Sequence, residues 1–133
     1  MSAAADILQI LAPISAGELI DKITILEIKA ERISDPAKLA NVRHELEALA
    51  ALRDSHGLDA LATLAADLRT VNETLWQVED EIREREAAGQ FDARFIELAR
   101  AVYVTNDRRA ALKKEINVAV GSAIIEEKSY AGS

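Results

Sequence analysis

The C-terminal third of the sequence contains a segment, residues 105–117, whose side chains could bind an anion. Asn106, Arg109, Lys113 and Asn117 follow one another by three or four positions, so an α-helix would place them on one face. Guanidinium and ammonium groups suit phosphate and carboxylate oxygens, and the two amides add neutral hydrogen-bond donors. The pattern therefore indicates a candidate anion-binding face.

These cations have no obvious partner on their own helix. Asp107 has alanines at both the third and the fourth following position, and Arg109 meets the like-charged Lys113 four positions on. Two kinds of partner remain: carboxylates of other helices, which would form salt bridges, or an anionic ligand. Salt bridges are the commoner arrangement for charged residues on helices. The carboxylates that could form such bridges are Glu18, Asp21, Glu79, Asp80, Glu126 and Glu127.

A second polar face lies on the first predicted helix, where Lys22 and Lys29 flank Ile25. If Ile25 is covered by another helix or by a second subunit, these lysines would border a groove. Trp76 is the one tryptophan of the chain, and helical spacing places it beside Glu79, Asp80 and Arg83. It could form a stacking wall next to polar groups, although a lone tryptophan more commonly belongs to a core or an interface.

The sequence gives little support for a metal site, a catalytic triad or a nucleic-acid-binding surface. His44 and His56 are twelve positions apart without a carboxylate-rich motif, and no cysteine occurs, so we predict no metal site and no cofactor. A glycine-rich phosphate loop is lacking, and no spacing suggests a Ser-His-Asp arrangement. With 23 acidic and 16 basic residues, the net charge of −7 opposes binding to nucleic acid or to an anionic membrane.

Composition also bears on localisation. The lack of cysteine suits a reducing cytoplasm. The first fifteen residues have an apolar middle but no basic region before it, and they include Asp6, so we do not interpret them as a signal peptide. No apolar run approaches the roughly 20 residues that a membrane helix needs. We expect a soluble, cytoplasmic protein.

Periodicity predicts an all-α fold with residues 1–133 forming a single helical domain. The first helix runs from the Ser15 cap to about Ile33, and capping-box spacing places Glu18 where it could reach back to that cap. The second begins at Asp35-Pro36 and ends at Gly57, the third extends from near Leu58 to about Ala88, and the fourth from an Asp92 cap to near Gly121. We expect a four-helix antiparallel bundle with a long hairpin of helices three and four around Gly89, and extended termini.

The sequence also bears on oligomerisation and on the path of the two ends of the chain. The first helix has one main apolar stripe, but Ile20, Ile25 and Ile28 lie outside that stripe. This helix should therefore be central in the fold or covered by a second subunit, which suggests a homo-oligomer. Residues 7–14 should form an extended segment or short turn on the bundle. The tail from Ser122 to Tyr130 could close over its own chain or over a neighbour.

The chain resembles a small bacterial domain family of unknown function that is also met in phages. The segments that carry the resemblance are "GELIDKITILEIKAERI", "LWQVEDEIREREAAGQFDARFIELARAVYVTNDRRAALKKEIN" and "GSAIIEEKSY". The family has no assigned activity. The resemblance implies that polar residues from helix one, helix four and the tail gather in one place; these are Glu18, Asp21, Lys22, Asn106, Asp107, Lys113, Asn117, Glu126, Glu127, Lys128 and Tyr130.

A second similarity provides the enzyme alternative. "LIDKITILEIKAER" is similar to the opening helix of the all-helical chorismate mutases, in which several cations converge on a dicarboxylate. In this chain Glu18 stands where those enzymes have a basic residue, which argues against that activity.

We therefore predict a non-catalytic binding protein that recognises a small anionic, phosphate-bearing ligand or a partner protein. The predicted ligand-binding residues are Lys22, Asn106, Arg109, Lys113 and Asn117, and the predicted supporting residues are Glu18, Asp21, Asp107, Trp76, Glu126, Glu127, Lys128 and Tyr130. The alternatives are a chorismate-mutase-type enzyme and a purely structural oligomer. An oligomer of that kind would pair all of these charges and leave no pocket.

Overall fold

A computed structural model describes residues 7–131, which form four α-helices and no strand within that range. The helices are α1 (Ala16–Arg32), α2 (Pro36–Ser55), α3 (Ala62–Ala87) and α4 (Ala93–Val120). The prediction of an all-helical fold with four helices is confirmed. None of the helices in the described part of the chain combines the length and the apolar character that a membrane crossing requires.

Side-chain caps fix the beginnings of three helices. Ser15 accepts a 3.0 Å hydrogen bond from the amide of Glu18, and Asp35 and Asp92 accept in the same way at α2 and α4. The second half of the predicted capping box does not form, because the Glu18 carboxylate bonds Lys113 on α4 instead of turning back to Ser15. The α1 cap thus leaves Glu18 available to another helix.

The turns that end the helices contain the predicted glycines, but the third helix begins later than predicted. Gly57, Gly89 and Gly121 have φ of 68°, 67° and 66°, a left-handed conformation that suits glycine at helix ends. The third helix was expected from Leu58, but Leu58–Leu61 form a single turn of 3-10 helix and α3 begins after it. A 3-10 turn is a common connector before an α-helix.

Helix α1 contacts each of the other three helices. Eight of its seventeen residues are buried, and the apolar core includes Ile20, Leu68 and Ile116, one from each of α1, α3 and α4. Ile20 and Ile28, which lie outside the main apolar stripe, are therefore covered within one chain and do not require a second subunit, whereas Ile25 is half-buried. Helix α2 covers α1 from outside and has no buried residue.

Salt bridges tie α3 to α4 near the turn between them. Arg94 Nε and Nη2 both donate to Glu81 at 2.8 Å, and Arg85 reaches Asp92 at 3.1 Å. The hydrogen bond from Arg94 lowers the pKa of the Glu81 carboxyl. Because these pairs are largely exposed, they contribute little to the stability of the fold. Their main effect is to align α3 with α4 at the turn.

Both ends of the described chain lack regular secondary structure. Residues 7–14 carry exposed apolar side chains, and Ile7, Leu8, Ile10 and Leu11 are each more than three-quarters exposed. Residues 122–131, called the tail below, return along α4 of the same chain through ion pairs described next.

Candidate functional site

Three successive turns of α4 contact the first turns of α1 in reverse order. Arg109 bonds Asp21, Lys113 bonds Glu18, and Asn117 bonds the amide of Gly17. The fourth residue of the predicted face, Asn106, lies one turn before this series and makes no contact of this kind. Three of the four polar positions predicted on α4 therefore face α1.

The first contact is a bidentate ion pair. Asp21 is 0% exposed, and its two oxygens accept from Nε and Nη2 of Arg109, the former at 2.8 Å. Asn72 on α3 donates from Nδ2 to the same Asp21 oxygen and to Thr24 Oγ1, both at 2.9 Å. The hydrogen bond to Asp21 raises the pKa of Arg109 despite its partial desolvation. A buried carboxylate needs such a set of donors to remain charged.

The second contact involves a buried ammonium. Lys113 is 8% exposed, and its Nζ donates to Glu18 at 2.7 Å and to Glu126 of the tail at 3.3 Å. Burial acts to lower the pKa of this lysine, but the hydrogen bond and the charge of Glu18, with further contributions from Asp21 and Glu126, outweigh it and raise the pKa. Lys113 is thus held charged between two carboxylates from different parts of the chain.

The third contact brings the two helix backbones together. Gly17 N donates to Asn117 Oδ1 at 2.6 Å, and a Cβ on Gly17 would lie 2.3 Å from the carbonyl oxygen of Lys113. Only glycine permits this approach. Nearby, Ser122 donates its amide to the Asn117 carbonyl at 2.8 Å, and its Oγ accepts from Ala16 N at 3.3 Å. The start of the tail is thereby fixed to the start of α1.

The rest of the tail lies along α4 through charge. Glu126 reaches Lys113, Glu127 reaches the exposed Lys114 at 3.2 Å, and Lys128 lies 3.8 Å from Glu126 within the tail itself. Together with Asn117 these five residues line a cavity of about 170 Å³ between α4 and the tail. We call it the tail cavity.

One donor of the tail cavity is not used by the protein. Asn117 is 2% exposed, and its Oδ1 is committed to Gly17, which fixes the orientation of the amide. Its Nδ2 donates to no group in residues 7–131. Since none of the fully buried side-chain nitrogens and oxygens in the described chain lacks a hydrogen-bond partner, this Nδ2 must reach open space. The tail cavity is the space that Asn117 lines.

Three other predicted residues lie around a neighbouring space, which shares Lys128 with the tail cavity. Asn106, Asp107, Lys128 and Tyr130 line a cavity of about 670 Å³ between α4 and the end of the tail. Lys22 is exposed and forms no ion pair with any residue of the described chain. The structure therefore brings Lys113, Asn117, Glu18, Glu126 and Lys128 together, places Asn106 in the neighbouring cavity that Lys128 also lines, and leaves Lys22 apart from both.

Trp76 belongs to a third space. It lines a cavity of about 280 Å³ together with Arg109, Asn72 and Ile25. The guanidinium carbon of Arg32 lies 5.7 Å from the Trp76 ring centroid, a cation–π distance. We call this space the helix cavity.

Sequence reasoning missed several residues of the site. Gly17, Thr24, Asn72 and Ser122 form its hydrogen bonds, yet only Asn72 carried a usable signal, a polar residue next to the apolar stripe of α3. Lys114 could have been included, because it adjoins Lys113 and faces the paired acids of the tail.

The arrangement provides hydrogen-bond donors for the oxygen atoms of a ligand. Lys113 and Asn117 offer a charged and a neutral donor in a partly enclosed space, where hydrogen bonds are stronger than in water. Within residues 7–131, no group of three or more histidine, cysteine, aspartate or glutamate side chains has the arrangement to hold a metal ion.

Comparison with known proteins identifies the family but not an activity. The chain belongs to a family of unknown function, DUF6165, whose model matches residues 10–133. No curated protein and no solved structure matches the chain. The predicted membership in a family without an assigned function is confirmed.

Proposed function

We propose that this DUF6165 protein is a non-catalytic binding protein that takes a small oxyanion, such as the phosphate group of a metabolite, in the tail cavity. The observation that carries the proposal is the pairing of two buried donors there. Lys113 already holds a carboxylate of the tail, and Asn117 presents an amide N–H that no residue of the described chain accepts.

In this proposal the Glu126 carboxylate occupies the position that a ligand oxyanion takes. Its 3.3 Å contact with Lys113 is longer than the 2.7 Å contact with Glu18, and Glu126 lies in the non-helical tail. An incoming phosphate exchanges with Glu126, keeps Lys113 paired and gains the Asn117 amide. A ligand that reproduces the lost hydrogen bond and adds one is favoured over the tail.

The surrounding charges fit this exchange. Lys114 is exposed at the rim of the tail cavity, where it pairs with Glu127. Once the acidic tail residues move aside, Lys113 and Lys114 face the ligand while Glu18 neutralises part of their charge. Arg109 is assigned a positioning role, because its bidentate bond to Asp21 holds α4 against α1.

The remaining sequence predictions stay proposals. We take the helices to form an antiparallel bundle, which the α3–α4 and α1–α4 contacts support. A homo-oligomer now rests on the exposed apolar side chains of residues 7–11. Three further proposals rest on the sequence alone. They are a cytoplasmic location, a bacterial or phage origin, and the absence of nucleic-acid and membrane partners.

The two alternatives differ in what they explain. The purely structural alternative accounts for the ion pairs of Arg109 and Lys113 and for the bond between Gly17 and Asn117 Oδ1, but it expects no cavity beside them and gives no role to the Asn117 Nδ2. The chorismate-mutase alternative needs several cations converging on one ligand, whereas Arg109 and Lys113 are each bound to a carboxylate of α1. A partner protein could replace the small ligand only by presenting an acidic group to the same two donors.

An NMR titration with inorganic phosphate and adenosine monophosphate tests the proposal. The Asn117 side-chain amide signals should shift saturably, and Lys113→Met should abolish the shift while circular dichroism shows a folded helical protein. Lys38→Met is the matched control, because Lys38 is an exposed lysine of α2. Saturable binding that survives in Lys113→Met, or no shift with either anion, would refute the assignment of the tail cavity. An acidic peptide that shifts the same signals when both anions fail would favour the partner-protein alternative.

A further inference from the structure

The helix cavity shares no lining residue with the tail cavity. Its walls are apolar side chains of α1 and α3, among them Ile25, Leu75 and Trp76. Arg109 and Asn72 add polar groups. An apolar space with a few polar groups is the usual form of a small-molecule site.

The floor of this cavity offers one donor and one acceptor. Asp21 Oδ1 accepts from Arg109 Nε at 2.8 Å and from Asn72 Nδ2 at 2.9 Å, so one oxygen atom holds the two side chains next to each other. Asp21 engages Nε and Nη2 of the guanidinium, and Nη1 bonds no group in the described chain. Nη1 is therefore a donor available to a ligand.

Asn72 provides the acceptor. The residue is 5% exposed, and both of its hydrogen bonds within residues 7–131 use Nδ2, which fixes the amide orientation. Its Oδ1 accepts from no residue within 7–131. Because the described chain contains no fully buried side-chain oxygen without a partner, this Oδ1 is not fully buried, and Asn72 is among the residues that line the cavity.

The charges near the opening select against an anion. Glu79 and Asp80 line the same cavity, and Asp80 has no ion pair among the described residues. Arg109, the cation among the lining residues, is already paired with Asp21, Arg83 pairs with Glu79, and Arg32 lies on the Trp76 ring. A phosphate ester would therefore meet the unpaired Asp80 carboxylate and no unpaired cation among the lining residues, whereas a neutral molecule with N–H or hydroxyl groups would find acceptors.

We infer that the helix cavity binds a small, neutral, planar molecule that presents a carbonyl next to an N–H, as the edge of a lactam or of a pyrimidine base does. The ligand carbonyl accepts from Arg109 Nη1, and the adjacent ligand N–H donates to Asn72 Oδ1. The ring lies among Ile25, Leu75 and Trp76. A site built to pair both groups discriminates strongly against an analogue lacking one, because a buried polar group is then left unsatisfied.

Uracil and 1,3-dimethyluracil form the chemical test. Both are flat and carry the same carbonyls, but methylation removes every N–H of uracil. The chain has one tryptophan, so its indole N–H gives one signal that reports directly on the cavity wall. We expect uracil to shift this signal saturably and dimethyluracil to bind at least tenfold more weakly.

Two variants and a control complete the experiment. Ile25→Phe should fill the cavity and abolish the uracil response without touching the Asp21 network, and Arg109→Lys should weaken uracil at least fivefold because it retains the charge but loses the free donor edge. Arg108→Lys, on the exposed side of α4, should bind uracil like the wild type. Equal binding of the two compounds, unchanged affinity in a folded Ile25→Phe protein, or no saturable shift would overturn the inference. Phosphate binding at the tail cavity should persist in Ile25→Phe, so the two proposals fail separately.

Discussion

Gly17 of α1 donates its backbone amide to the side chain of Asn117 on α4 at 2.6 Å, and a Cβ on Gly17 would lie 2.3 Å from the Lys113 carbonyl oxygen, so the two helices approach closely here. The C-terminal part of the polar face of α4 is therefore largely removed from solvent. It packs against the beginning of α1, and Lys113 and Asn117 are buried together with Ile116.

Gly17→Ala should destabilise the protein. Alanine is about 1 kcal/mol better than glycine within a helix, so helix propensity alone predicts a gain. The added Cβ would lie 2.3 Å from the Lys113 carbonyl oxygen, so we instead expect a loss of about 1–3 kcal/mol from overpacking. Urea unfolding decides the sign, and a stabilised variant would show that the helices can separate without cost.

Arg109→Ala should be among the most destabilising substitutions on α4. It leaves the fully buried Asp21 without its main counterion, and breaking a buried pair in this way costs about 3–5 kcal/mol. Arg108→Ala, exposed and without an ion pair in the described chain, should change stability by less than about 0.5 kcal/mol. Similar losses for the two variants in chemical denaturation would contradict a structural role for the Arg109–Asp21 pair.

The contribution of Lys113 should disappear at alkaline pH. The folded state raises the pKa of Lys113 above its ordinary value of 10.5, so the stabilisation is complete below that value and is lost as pH rises through the higher folded pKa. The difference in unfolding free energy between wild type and Lys113→Met should be largest near neutral pH and shrink above 10.5. A difference that stays constant through the alkaline range would mean that packing of the lysine stem, not its charge, stabilises the fold.

Salt should release the tail before it affects the helices. The tail is held by Lys113–Glu126 and the exposed Lys114–Glu127 pair, and raising the ionic strength from about 0.01 M to 1 M shortens the screening length from about 30 Å to 3 Å. Backbone ¹⁵N relaxation should show residues 124–130 gaining motion while α4 does not. A tail that remains rigid at high salt would require contacts other than these ion pairs.

Helix positions could be predicted from the sequence because their signals are local. The caps at Ser15, Asp35 and Asp92 and the turn glycines Gly89 and Gly121 needed only a few neighbouring residues to identify. The one shifted boundary, at Leu58, involves a 3-10 turn whose apolar spacing does not differ from that of an α-helix over four residues.

Which carboxylate pairs with each cation of α4 could not be predicted, because the pairing depends on which helices pack against each other. The cations of α4 were correctly seen to lack partners on their own helix, but six carboxylates were equally plausible partners. Asp21, Glu18 and Glu126 take these roles because Gly17 allows α1 to approach α4 directly. Asn72 was missed since its function depends on a contact with residues some fifty positions away.

The most direct test of the anion site is the phosphate affinity of Glu126→Gln. If Glu126 occupies the ligand position, its neutral isostere should bind inorganic phosphate about tenfold more tightly than the wild type, equivalent to about 1.4 kcal/mol of relieved competition. Glu127→Gln, which alters an exposed pair, should gain less than about threefold. Dissociation constants from NMR titration of the Asn117 amide would contradict the account if Glu126→Gln bound phosphate no better than the wild type.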